Sequence, residues 1–183
     1  MKNDIDLATL KPAISDYVLD YANTVPERIA MNSEYGEISY AKLGEQVQRL
    51  ALAFQRSGVK RGDRVAVLTT PRSDGYTVFL ALNAIGAIWL GINPVYQYRE
   101  MHYVVEDASP VALVFLSEFQ GRDYTGDAAR LMEECESLRA CYCLERDTGD
   151  VESLEQMEER FLSPGERLLD VARRYRDDVA MIV

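Results

Sequence analysis

The sequence predicts an α/β fold: a partial doubly wound parallel sheet with flanking helices and a small N-terminal β-hairpin. Three observations carry this prediction. Through the middle of the chain, apolar segments of strand length alternate with segments of helical period. The candidate strands are apolar at consecutive positions, as strands covered on both faces are. And the uncharged run from Gly75 to Tyr98 changes character halfway. Good helix formers lead up to Ile85, Gly86 is a natural helix stop, and Ile88, Trp89, Leu90 and Ile92 then read as a buried strand. The run is long enough to raise the question of a membrane span, but Asn83, two glycines and Asn93-Pro94 interrupt it, and no span is expected.

The elements follow in order. Ile14 to Asn23 reads as a helix with Ile14, Val18, Tyr21 and Ala22 on one face, and Pro26 lies just beyond its end. Ile29 to Asn32 and Glu37 to Ser39 flank Glu34-Tyr35-Gly36 and form the hairpin, with Gly36 supplying the turn. Ser39 then caps a helix from Tyr40 to Arg56, whose buried face is Leu43, Val47, Leu50 and Phe54. Gly58 ends it, and Gly62-Asp63 leads into the strand Arg64 to Leu68.

The loop Thr69 to Gly75 and the helix through Leu82 lead to the strand Ala87 to Ile92, a right-handed βαβ unit. A helix from Tyr98 to Asp107 turns Met101, Val104, Val105 and Ala108 inward, and the strand Val111 to Leu116 follows. Beyond it come a helix from Asp127 to Ser137, a short strand at Cys141, and an acidic surface helix within Thr148 to Arg160. Pro164-Gly165 marks a turn, Glu166 to Tyr175 can form a helix, and Val179 to Val183 starts a buried strand.

At 183 residues with a net charge of −10, the chain is sized for a real core and is a poor match for nucleic acid or an anionic membrane. No basic, apolar leader opens it. Three cysteines, Cys135, Cys141 and Cys143, without such a leader imply reduced thiols and a cytoplasmic location. With His102 as the one histidine, no metal site is expected.

Few residues carry chemistry by pattern. The loop Thr69 to Gly75 lies between a parallel strand and a helix, where phosphate loops occur, but it matches neither glycine-rich phosphate motif. Ser73 or Asp74 is read as the helix N-cap, and Arg72 as either a contact to an anionic ligand or a solvated arginine. Tyr96 and Tyr98 either line a pocket or pack. Gly86 and Pro94 are structural. His102 is read as a structural histidine, and Glu133-Glu134-Glu136 and Glu152-Glu155-Glu158-Glu159 as solvated faces. On the residues alone, no catalytic set is present.

An ordered series of motifs resembles the N-terminal part of the adenylate-forming enzymes, the acyl-coenzyme A synthetase branch in particular. Ile38-Ser39-Tyr40-Ala41-Lys42-Leu43 is similar to their first core motif, with Lys42 where a capping glutamate is usual. Gly58-Val59 and Gly62-Asp63-Arg64-Val65-Ala66-Val67 resemble their approach to the first strand. Leu82-Asn83-Ala84-Ile85-Gly86-Ala87 with Asn93-Pro94 resembles the second core motif. Arg99-Glu100-Met101 and Phe119-Gln120-Gly121-Arg122-Asp123-Tyr124 continue the series.

The resemblance implies an activity in which ATP and a carboxylic acid give an acyl-adenylate, which many members pass to coenzyme A. It implies magnesium, a Ser/Thr/Gly/Lys-rich phosphate loop and a lysine from a C-terminal domain. In the family that loop follows a strand similar to Asp178–Val183. Residues 1–183 are therefore expected to be the N-terminal portion of an AMP-binding domain, ending before the phosphate loop. No catalytic or cofactor-binding residue is carried over, and Arg72 and Tyr96 stand as candidate substrate contacts. Self-association through the last strand is expected. The alternative is a non-catalytic α/β interaction module.

Overall fold

The structure, a computed structural model, describes residues 11–33, 36–145, 151–167 and 179–182. Helix α1 (Ile14–Thr24) precedes an antiparallel hairpin of β1 (Ile29–Ser33) and β2 (Gly36–Ser39). Helix α2 (Tyr40–Arg56), β3 (Arg64–Leu68), α3 (Ser73–Ile85), β4 (Ile88–Ile92), α4 (Tyr98–Ala108) and β5 (Ala112–Phe115) give the alternation that the sequence predicts. A two-stranded ribbon, β6 (Glu118–Phe119) and β7 (Arg122–Asp123), precedes α5 (Thr125–Glu134) and β8 (Ala140–Cys143). Helix α6 (Leu154–Phe161) and β9 (Met181–Ile182) follow.

Among the described residues five strands form one parallel sheet in the order β8-β5-β3-β4-β9. Period-two alternation divides its side chains between two cores. Val65, Val67, Ala112 and Val114 face the core built with α1, α2, α3 and α6. Ala66, Leu68, Leu113 and Phe115 face the core built with α4 and α5. Helices cover both faces, which is why these strands read as continuous apolar runs.

The break at Gly86 is as expected. Its φ is 76°, in the left-handed region. The Ala87 N–H donates to the Leu82 carbonyl at 2.9 Å and the Gly86 N–H to that of Asn83 at 3.1 Å, the paired bonds of a Schellman helix end. The Gly86 carbonyl accepts the Gly62 N–H at 2.9 Å, so the helix end also fixes the approach to β3. Ser39 caps α2 by accepting the Lys42 N–H at 3.3 Å.

Several expectations need correction. On α1 the buried residues are Ser15, Val18 and Leu19, while Ile14 and Tyr21 are exposed, because α1 docks through its first turn onto α3. The N-cap of α3 is Arg72, whose carbonyl accepts the Tyr76 N–H at 3.1 Å; Ser73 and Asp74 already lie inside the helix. Helix α5 stops at Glu134, three residues early. Helix α6 is not a purely solvated element. Met157 is fully buried, and Glu158 pairs with Arg49 of α2 at 3.0 Å. Ser153 and Gln156 form a reciprocal capping box there. Of the helix expected over 166–175, Glu166 and Arg167 are not helical, and the rest lies outside the described residues apart from that. Residues 34 and 35, expected from the sequence to lie in the hairpin turn, and Val183 are also outside them.

Candidate functional site

In open parallel sheets, ligands sit beyond the carboxyl ends of the strands. Here those ends are organised by two polar centres. The first surrounds Arg72, on the loop after β3. Its guanidinium is 19% exposed and contacts Asp74 at 2.7 Å and Glu145 at 2.5 Å. Glu145 follows β8, and its other oxygen accepts the Ser117 N–H at 2.7 Å and the Cys143 thiol at 3.3 Å. One carboxylate thus ties together the exits of β3, β5 and β8. The sequence alternatives for Arg72, ligand contact or solvated arginine, left out this third arrangement, an internal ion pair.

The two carboxylates differ. Burial pushes the Asp74 carboxyl above its ordinary range, outweighing Arg72 and the Gly75 N–H, which pull it down. At Glu145 burial acts in the same upward direction but is overcome by the Ser117 N–H and Arg72, so its carboxyl lies below the ordinary range. These groups form one wall of a cleft of about 720 Å³, which Lys42 and Gln46 of α2 also line.

The second centre lies after β4. The buried Tyr124 hydroxyl donates to the Pro94 carbonyl at 2.6 Å. Arg122 stands over the Tyr124 ring at 4.7 Å, donates to the Tyr96 carbonyl at 2.6 Å and pairs with Asp127 at 2.6 Å. The Pro94 carbonyl is thus the acceptor around which this centre forms. The structure uses the Tyr96 backbone here, while its side chain lines a shallow groove with Arg99, Tyr103 and Val104. Tyr98 instead donates to Glu134 at 2.8 Å beneath the Arg130 guanidinium. His102, half-buried, has a ring nitrogen 3.5 Å from Glu134 and the other 3.6 Å from Glu106. Glu134 is thus no solvated bystander; it ties α4 to α5.

A third feature is an apolar groove of about 800 Å³ between α3 and β9. Ile14, Met31, Tyr76, Phe79, Trp89 and Met181 line it. Phe79 stacks with Tyr76 and meets Trp89 edge-on, with centroids 6.2 and 5.9 Å apart.

Among the described residues no cluster of three or more His, Cys, Asp or Glu side chains is arranged to hold a metal ion. Nor is any described helix long and apolar enough to cross a membrane. Sequence reasoning missed Glu145, Tyr124 and Asn83. A lone carboxylate just past a parallel strand was the available signal for Glu145. Tyr124 closes a motif already quoted for the resemblance.

Comparison with known proteins then decides the family. The family of AMP-binding enzymes matches residues 19–183. The chain belongs to that family. It corresponds to an N-terminal part of the adenylate-forming acyl-coenzyme A synthetases. Among curated relatives, a 3-oxocholest-4-en-26-oate–CoA ligase of Rhodococcus rhodochrous is 33% identical over 101 residues, covering 55% of this chain and 18% of the relative. A medium/long-chain-fatty-acid–CoA ligase of Mycolicibacterium smegmatis, also named for 3-oxocholest-4-en-26-oate, is 27% identical over 137 residues, covering 75% and 24%. Among solved structures, a long-chain-fatty-acid–CoA ligase from Archaeoglobus fulgidus superposes with a TM-score of 0.78 at 22% identity, over 94% of this chain and 34% of that one. An anthranilate–CoA ligase in complex with anthranoyl-AMP gives a TM-score of 0.78 at 18% identity, over 95% and 32%. These structural likenesses establish the fold. The matched segments of this AMP-binding chain cover about a fifth of the length of these curated relatives.

Proposed function

We propose that this chain is the scaffold portion of an AMP-forming acid–coenzyme A ligase, preceding the phosphate loop of the domain. In the whole protein, ATP, magnesium and a carboxylic acid give an acyl-adenylate, and coenzyme A takes the acyl group. The observation that carries the reading is the family match over 19–183, combined with relatives that are much longer acid–coenzyme A ligases, of which the matched segments make up 18% and 24%. The apolar groove between α3 and β9 supports it, because a surface of this kind is what a further part of a domain covers.

The chain's own contribution is positional. Its sheet and helices hold the strand ends, and its sequence carries no glycine-rich phosphate motif. Arg72 and Tyr96 remain substrate-side only in a limited sense. Arg72 shapes a cleft through its ion pairs, and Tyr96 contributes to a groove wall. The acid is a fatty, steroidal or aromatic carboxylic acid, the classes named for the relatives. The thiols of Cys135, Cys141 and Cys143, none of them in a disulfide among the described residues, fit a cytoplasmic protein. Calorimetric titration with ATP and magnesium tests the assignment: the chain alone is expected to show no binding at millimolar ATP, and clear binding would refute a purely positional role.

Self-association through β9 is part of the proposal. Val179 and Met181 are 51% and 50% exposed, beside the groove and at one edge of the sheet.

A further inference from the structure

We propose that Arg72, Asp74 and Glu145 form an acid-released latch with two arms across the ends of β3, β5 and β8, and that the Asp74 arm opens before the Glu145 arm. The geometry makes the arms unequal. Glu145 receives three donors from three segments: the Arg72 guanidinium, the Ser117 N–H and the Cys143 thiol. Among the described residues Asp74 receives Arg72 and, at 2.7 Å, the N–H of its own neighbour Gly75. A carboxylate with more donors holds its charge to lower pH. Asp74 is moreover close enough to Glu145 to be disfavoured by its like charge.

The other groups on this cleft do not equalise the arms. Lys42 of α2 pairs with Glu45 at 3.2 Å, Gln46 is uncharged, and the Thr77 hydroxyl donates to the Ser73 carbonyl at 3.0 Å. The Cys143 thiol donates to Glu145. Burial moves the Asp74 carboxyl up and the donors move that of Glu145 down, both shifts toward the proposed order.

The consequence is a graded response. Protonating Asp74 leaves one carboxylate for one guanidinium, and Arg72 turns wholly to Glu145. The cleft wall loses a negative charge while the three strand ends stay tied. Only the second protonation releases the side-chain tie between the segments that follow β3, β5 and β8, while the backbone ladder between β5 and β8 persists.

Two backbone amides report the arms independently, Gly75 for Asp74 and Ser117 for Glu145. In an NMR pH titration of the chain, the Gly75 amide should move with a midpoint above the ordinary aspartate value of about 3.9, and Ser117 with one below the ordinary glutamate value of about 4.3. Asp74→Asn should erase the first transition and leave the second. Glu145→Gln should erase the second and speed Ser117 amide exchange about tenfold or more at neutral pH. A single shared midpoint, or Ser117 moving first, would overturn the proposal. Asp74→Asn decides the order even where Glu145→Gln does not fold.

Discussion

The side-chain oxygen of Asn83 accepts the backbone N–H of Ser15 at 3.1 Å, inside the core and across 68 positions of sequence. Ser15 is 0% exposed and Asn83 2%. The first N–H groups of a helix have no partner within it, and burying one unpaired is costly. Asn83 solves this for α1 from the far side of the interface. That is why an amide stands in the middle of the apolar stretch from Thr77 to Ile85.

Replacing Asn83 with leucine should therefore cost about 1–3 kcal/mol, the price of a stranded buried donor. It should also loosen α1 selectively. Chemical denaturation measures the first effect, and amide exchange within Ile14–Thr24 the second. Unchanged exchange in α1 would show that its docking rests on Val18 and Leu19 alone.

Gly86→Val should destabilise by about 2 kcal/mol or more. The residue holds φ 76°, and a Cβ there would lie 2.8 Å from Cγ of Arg61. Cγ lies near the root of the Arg61 side chain, so crowding adds to the backbone cost and is already met by the Cβ alone. Gly86→Ala should consequently lose most of what valine loses. An unshifted denaturant midpoint for either variant would place the break elsewhere.

Tyr124→Phe removes the donor to the Pro94 carbonyl and leaves that acceptor buried. Stability should fall by about 1–2 kcal/mol. Because Arg122 still pairs with Asp127, the β6–β7 ribbon should keep its place. A neutral outcome would mean that the Asn93-Pro94 turn is held by its own backbone.

Met181→Lys puts a charge on the half-exposed edge strand. Sedimentation of the parent chain should show concentration-dependent association, and this variant should remain monomeric under the same conditions. A parent chain that stays monomeric at high concentration would remove β9 as a contact surface.

Much of the fold is legible in the sequence, since its main signals are local. Glycine stops, strand-length apolar runs and the Ser39 cap each depend on a few neighbouring residues. The βαβ alternation from Arg64 to Leu116 and the left-handed Gly86 follow from them. What the sequence conceals is long-range pairing of polar groups. Asp74 looks like an N-cap beside a loop, and nothing near it announces Glu145, 71 positions on, as the competitor for Arg72. Glu158 reads as one more carboxylate on a solvated face until α6 packs on α2 and brings Arg49 within 3.0 Å. Ile14 and Tyr21 share helical spacing with Val18, yet the face that turns inward is selected by Asn83 on another helix.

We propose that this AMP-binding chain supplies scaffold to an acid–coenzyme A ligase and does not itself carry out the chemistry. Adenylation draws its rate from donors and charge arranged around a triphosphate and a carboxylate. The most direct measurement is acid-dependent exchange of labelled pyrophosphate into ATP, run on the purified 183-residue chain beside a full-length acid–coenzyme A ligase. With fatty, steroidal and aromatic acids offered in turn, the full-length enzyme should exchange and this chain should stay at the no-enzyme background. Robust exchange by this chain, abolished by Arg72→Gln, would contradict the account and assign chemistry to the cleft at the end of β3.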